Sequence, residues 1–380
     1  MRGKGGPRPD GRATHHRGQS AANGAVAALV ADVAPAPAPI FPHGSPAPHY
    51  RATFGALDLG TNNCRLLIAR PDGDDFVIVD AFSRIVRLGE GMTLSGRMSQ
   101  LAMDRAVDAL SVCADKLRRR RVVLSRSVAT EACRRAANGD AFLARVRDET
   151  GIALDVISAE EEARLAVLGC YQSLSAGAGP ALLFDIGGGS TEVALIDDSG
   201  DEPRILDWQS IPWGVVTLSE AERHDTDCAR ARAHAYAAMR SRVRGAMAGF
   251  TARIAPLRAS GAANGHRMLG TSGTVTTLAS LYLGLLSYDR SQVDGLTIAA
   301  SDLRAWCARL ADMPLSGLAQ MPCVGRERAD LVVAGCAALE EICEAWPAHS
   351  IDVADRGIRE GVLRTLMRAH GARAARGQGL

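Results

Sequence analysis

The sequence predicts an α/β protein built from two related halves. Two observations carry that expectation. "FGALDLGTNNCRLLIAR" (54–70) and "ALLFDIGGGSTEVALID" (181–197) share one design: an apolar strand, a D-x-G turn with small residues, and a second apolar strand. Asp58 aligns with Asp185, Gly60 with Gly187 and Asn63 with Ser190, which reads as an internal duplication. Between the two units, strand-like and helix-like patterns alternate, as in layered α/β proteins.

The elements follow in chain order. Residues 1–52 hold eight of the sixteen prolines, with six Arg or Lys against two Asp. Such a Pro/Ala-rich basic tail is expected to be disordered. Its "AVAALVA" (25–31) is barely long enough for a secretory h-region, and 24 residues precede it. Removing the tail's charges from the chain totals leaves 44 − 6 = 38 basic and 42 − 2 = 40 acidic residues. The body thus carries no excess of positive charge to suggest a nucleic-acid partner. No apolar run approaches the roughly eighteen residues of a membrane span. Nine cysteines without a C-x-x-C pair suggest reduced, buried thiols and a cytoplasmic location.

Residues 99–120 place Met103, Val107, Leu110, Ala114 and Leu117 on one helical face. Residues 120–130 read as a strand running into a loop. Residues 139–151 form a short helix closed by Gly151, and 152–157 an alternating strand. Residues 158–174 begin a helix with a capping box from Ser158 to Glu161. "MLGTSGTVTTLAS" (268–280) is an apolar entry followed by a Gly/Thr/Ser loop that opens a helix, a ready anion site.

Glycine turns let backbone N–H groups approach phosphate oxygens. The aspartate before each turn repels phosphate but suits a divalent metal or a water beside it. The chain has no G-K-[ST] P-loop, no G-x-S-x-G elbow and no histidine metal pattern. Carboxylates remain for acid–base work. Glu160, Glu161 and Glu162 share a first helical turn, where acids favour the dipole. Glu161 is accounted for by the cap. Glu162 is one position beyond it, with Ala166 and Gly169 on its own face.

Several segments, in order, resemble the exopolyphosphatase/guanosine pentaphosphate phosphohydrolase (Ppx/GppA) family. They are "ALDLGTNNCRLLIA", "SVATEACRRAANGDAFL", "VISAEEEARLA", "LLFDIGGGSTEVAL", "SIPWGVVTLSE", "MLGTSGTVTTLA" and "DRGIREGVLRTL". The resemblance implies a duplicated actin-like fold, of the acetate kinase/sugar kinase/Hsp70/actin type, with two ribonuclease H-like lobes around a cleft. The expected division is a tail at 1–52, lobes at 53–178 and 179–368, and a flexible C-terminus at 369–380. The chain would be a short two-domain form without the C-terminal helical domain of long members.

The resemblance also implies Mg²⁺-assisted hydrolysis of a terminal phosphoanhydride, in polyphosphate or guanosine pentaphosphate, and a homodimer. By resemblance, Glu162 is the catalytic glutamate. Asp185 and Glu192 handle metal and water, with Asp58 a weaker candidate. The phosphate loops fall on Gly60, Thr61, Asn62 and Asn63, on Gly187, Gly188, Gly189 and Ser190, and on Gly270, Thr271, Ser272, Gly273 and Thr274. Arg65 and Arg134 resemble phosphate-contacting arginines. Thr217 stands where many relatives carry arginine. Two rival readings use the same loops: an actin-like ATPase and a noncatalytic polyphosphate or alarmone sensor.

Overall fold

The structure is a computed structural model, which describes residues 52–375 except 74 and 262–264. The expected disordered tail lies outside the described residues, apart from Ala52.

Two sheets repeat one topology. The first has the order β3-β2-β1-β4-β5, from β1 (Phe54–Leu59), β2 (Asn63–Asp72), β3 (Asp75–Ile85), β4 (Leu124–Ala129) and β5 (Asp155–Val156). The second contains β6 (Ala181–Ile186), β7 (Thr191–Asp197), β8 (Arg204–Ile211), β9 (Arg267–Thr271), β10 (Thr297–Ala299) and β11 (Ser350–Ala354). Its order, β8-β7-β6-β9-β11, matches the first sheet, and antiparallel β10 extends the edge. In each sheet the first three strands are antiparallel and the next two parallel. Even the register irregularities coincide. One falls between Ile68 and Ala69, the other between Leu195 and Ile196, at aligned positions.

Strand alternation decides which core each side chain joins. In β1, Leu57 and Leu59 face an outer core with Val107 and Leu110, on α1 (Gln100–Arg119). Phe54 and Ala56 face the opposite side, with Leu165, Val362 and Leu363. In β6, Leu182, Phe184 and Ile186 join the large outer core, while Ala181 and Leu183 pack with Val167 and Cys170.

The residues shared by the inner faces lie on two helices. Helix α4 (Ala159–Cys170) follows α2 (Glu131–Arg135) and α3 (Gly139–Thr150). It gives Leu165 to the first sheet's inner core and Val167 to the second's. The last helix (Ile358–Ala375) packs on β1 and on α4. Their crossing depends on missing side chains. A Cβ on Gly169 would sit well inside the contact distance of the Gly357 carbonyl, and one on Gly361 inside that of the Leu165 carbonyl.

The structure corrects three expectations. The strand at 152–157 shrinks to Asp155–Val156. Helix α4 ends at Cys170 and passes into a 3-10 turn at Tyr171–Ser173. Its capping box is half made: Ser158 Oγ accepts from the Glu161 N–H, but the Glu161 carboxylate bonds Arg126 and Arg164. The last helix packs on the first sheet's inner face and runs to Ala375. His370 on that helix packs edge-on against Phe54.

Gly169→Ala and Gly361→Ala are each expected to destabilise the protein by about 1–3 kcal/mol, the usual cost of overpacking. Calorimetric melting measures this. An unchanged transition in both variants would show that the crossing has slack.

Candidate active site

The two D-x-G turns close alike. The Gly60 N–H donates to the Asn63 carbonyl and the Gly187 N–H to the Ser190 carbonyl, each at 2.9 Å. A neighbouring segment holds each turn. Val86 and Gly89 N–H groups reach the Asn62 and Thr61 carbonyls; Val215 and Val216 N–H groups reach those of Gly187 and Gly188. Helix α5 (Val215–Ala221) therefore begins directly on the second turn. Thr217 receives the Gly214 N–H and donates to the Gly189 carbonyl, so it serves the cap.

The turns meet face to face. A Cβ on Gly188 would crowd Asn62 and Thr61, and one on Gly189 would crowd Thr61 Oγ1 and the Glu131 side chain. These glycines therefore admit the opposite hairpin as well as presenting backbone to a ligand.

Around the meeting point lies a cavity of about 130 Å³. Asp58, Arg65, Asp185 and Glu192 come to it from the paired strands. The pairings Asp58↔Arg65 and Asp185↔Glu192 occupy the same register. Glu162 enters from the first turn of α4. Ser272, Gly273 and Thr274 enter from α7 (Ser272–Tyr282), after the long α6 (Ala229–Gly261). Ser272 takes a left-handed φ of 85° to open this helix, and its hydroxyl donates to the Ile186 carbonyl. A non-glycine residue in that region is strained and is held by its surroundings.

Burial and mutual repulsion set the electrostatics. Burial pushes the Asp185 carboxyl up to about 6 and that of Glu192 up to about 7; Asp58 adds repulsion to the first and Asp185 to the second. Two hydroxyls, Ser190 Oγ at 2.7 Å and Ser210 Oγ at 2.9 Å, bond Glu192 Oε1 and oppose the rise. Burial, then the Glu192 charge, drives Glu162 well above the ordinary carboxylate range. Arg134 opposes this from 3.2 Å.

The structure brings most of the expected residues together. Gly60 to Asn63, Gly187 to Ser190, Arg65, Ser272 to Thr274 and all four candidate acids line the cavity. Three expectations change. Gly270 is in β9 and packs beneath Phe184, away from the cavity. Thr271 closes that strand and lines only the smaller cavity behind, and its hydroxyl bonds the Arg356 carbonyl. Arg134 is spent on protein groups, the Ile157 carbonyl and the carboxylates of Glu131 and Glu162, so it positions Glu162.

Sequence reasoning missed Glu131, Thr277 and Arg328, which also line the cavity. Glu131 was visible within "SVATEACRR". Arg328 sits in a charged loop with no pattern to single it out. That loop is tied across to the first half by Arg87, which bonds Asp330 and the Glu327 carbonyl.

Comparison with known proteins decides the family. The Ppx/GppA phosphatase family matches residues 67–370. The chain belongs to this family. Exopolyphosphatase 2 of Mycobacterium tuberculosis is 30% identical over 325 residues, covering 82% of this chain and 97% of that protein. A guanosine-5'-triphosphate,3'-diphosphate pyrophosphatase of Aeromonas hydrophila is 30% identical over 320 residues, 84% of this chain but 60% of that protein. Among solved structures, an exopolyphosphatase from Cytophaga hutchinsonii is similar at 25% identity with a TM-score of 0.73, covering 83% of this chain and 98% of that one. The Aquifex aeolicus member of the Ppx/GppA family is similar at 26% and 0.66, covering 84% and 98%. The repeated sheets are the duplicated actin-like fold of this Ppx/GppA family.

The meeting of the two turns yields a prediction. Gly189→Ala should force Thr61 and Glu131 to move, lowering stability by about 1–3 kcal/mol and phosphatase activity with it. Thermal melting and phosphate release measured together check this. Full activity at an unchanged melting temperature would mean that the hairpins are not in firm contact.

Proposed function

We propose that the protein hydrolyses the terminal phosphoanhydride of inorganic polyphosphate, with Glu162 acting on the attacking water and Mg²⁺ beside the phosphate. The observation that carries this reading is the place of Glu162: buried in the wall of a cavity whose other walls are two matched glycine turns. The full-length similarity to an exopolyphosphatase supports polyphosphate as substrate. Guanosine pentaphosphate is the second reading, supported by similarity to proteins that the chain spans for 60% of their length.

The donor chemistry fits magnesium. Asp58 Oδ1 is buried and, among the described residues, has no hydrogen-bond partner. Among the described residues, no three acids, histidines or cysteines form a cation cage. That suits a small hard cation which keeps waters and shares phosphate oxygens with one or two carboxylates. Asp185 and Glu192 would hold it, with Asp58 beside them. When bound, it neutralises charge on the phosphoryl oxygens.

The protein groups do the rest. Arg65 and the turn N–H groups orient the terminal phosphoryl and stabilise its equatorial oxygens. Arg134 bonds Glu162 Oε2, which leaves Oε1 to take a proton from the water as the water attacks in line. Burial raises the proton affinity of that carboxyl. The bond to the next phosphate breaks, and orthophosphate and a chain one unit shorter result. The homodimer and the cytoplasmic location are part of the same proposal. Among the described residues, no helix is long and apolar enough to cross a membrane.

Side-by-side turnover of polyphosphate and guanosine pentaphosphate tests the substrate. Preference for the nucleotide would replace the first reading with the second. Transfer of phosphate to an acceptor from ATP would favour the ATPase reading, and tight binding without turnover in magnesium the sensor.

Glu162→Gln is expected to fold normally and lose hydrolysis by about 10²-fold or more. Glu161→Gln, which removes half-exposed ion pairs, should cost only ~0–1 kcal/mol and leave turnover intact. Parallel kinetics and melting separate the two, and near-normal turnover in Glu162→Gln would remove the base assignment. For the metal, Asp185→Asn should raise the magnesium concentration giving half-maximal rate. An identical magnesium titration in this variant would sink the metal role.

A further inference from the structure

Behind the candidate active site lies a second, smaller cavity of about 40 Å³. It shares Asp58, Arg65, Asp185 and Ser272 with the front cavity. Its far wall comes from the 355–359 segment, including Arg359 in the first turn of the last helix.

Three arginines border this space, and one of them, Arg356, is engaged by Asp294. Arg65 lies on the wall shared with the front cavity, and among the described residues it makes no hydrogen bond or ion pair. Arg359 is mostly buried, with 14% of its side chain exposed; its nearest acid, Glu360, is 3.9 Å away, beyond hydrogen-bond reach. The Glu360 carboxylate is engaged elsewhere, by Arg290 and by the Gly357 N–H. The two cations repel one another, and Arg359 adds to the effect of burial in lowering the pKa of Arg65. Asp58, Asp185 and Asp355 balance the charge without bonding either guanidinium. Two arginines with unused donors bordering one cavity, Arg359 mostly buried and Arg65 half-buried, are the makings of an oxyanion site, since each offers a fixed fork of N–H groups.

We propose that this rear cavity is a second phosphate site, which takes inorganic orthophosphate after cleavage while the front cavity is open to the next chain end. Arg65 belongs to both sites and passes the anion between them. Arg359 belongs to the rear site alone. The rear site's role as a product site rests on the hydrolase reading above; its ability to bind phosphate does not.

The test uses the full chain with magnesium. In the Glu162→Gln background, which binds substrate without consuming it, inorganic phosphate is titrated calorimetrically in the absence and presence of saturating short-chain polyphosphate. Phosphate should bind in both cases. Adding Arg359→Gln should weaken phosphate binding by about tenfold or more, the scale of a lost charge-assisted hydrogen bond, while polyphosphate affinity changes by less than about threefold on the same scale. Arg359→Lys, which keeps the charge, should recover part of the loss. A melting curve verifies that each variant is folded. Complete competition between phosphate and polyphosphate, or an equal loss of both affinities in Arg359→Gln, would overturn the second site. If polyphosphate fails to bind at all, the polyphosphate reading falls, and the titration with phosphate alone still reads the rear cavity.

Discussion

The site depends on a contact between two helices that carry no side chain where they cross. Helix α4 and the last helix lie on the inner faces of the two sheets, and Gly169 and Gly361 let their backbones touch. Each helix begins at the candidate site. Glu162 is in the first turn of one, and Ile358 and Arg359 open the other. The crossing therefore sets how far a carboxylate from the first half stands from the acids of the second. An interior packed to crystal-like density transmits such a constraint, because a displaced backbone moves its neighbours with it. The backbone bond from the Gly361 N–H to the Gly357 carbonyl is at this same point.

The second constraint is electrostatic. Four carboxylates share one cleft, Glu162 and Glu192 buried and Asp58 and Asp185 half-buried, and three of them raise the proton affinity of the next: Asp58 acts on Asp185, Asp185 on Glu192, and Glu192 on Glu162. Arg65 offsets the charge of the first two, and Arg134 that of the last two. Such an arrangement is costly without a compensating ligand. The fixed donors around it need no reorientation as charge develops, which is the physical basis of preorganised catalysis.

Much of this was legible in the sequence because duplication leaves two copies of one pattern. The alignment of Asp58 with Asp185 predicted matched hairpins, and the registers Asp58↔Arg65 and Asp185↔Glu192 bear it out. Helix ends were legible where a single residue type enforces them. Gly151 ends its helix with a φ of 73°, which glycine adopts without strain. What was not legible depends on partners distant in the chain. No local pattern tells whether an arginine will meet phosphate or protein, and Arg134 meets Glu131 and Glu162. Gly270 stood in a loop-like string, but pairing with Phe184 and Val353 draws it into a sheet. The last helix looked like part of the second half because it follows it in sequence. Its apolar residues, Val362 and Leu363, are complementary to the inner face of the first sheet.

The duplication is also where the two halves differ, and the difference carries the chemistry. Position for position, Arg65 in the first hairpin faces what Glu192 is in the second. Two glutamates there would add a fifth acid to a cleft that already repels itself. Two arginines would leave Asp58 and Asp185 each beside a cation. One of each sets a cation and an acid on symmetric backbones, so that charge in the cleft is partly offset. The turns diverge in the same way. The first keeps Thr61 and Asn62, whose buried oxygens have no partner among the described residues, and the second keeps only glycine, which those side chains abut. Side chains on one hairpin and space on the other let two copies of a motif close on each other, which two identical copies of either could not do.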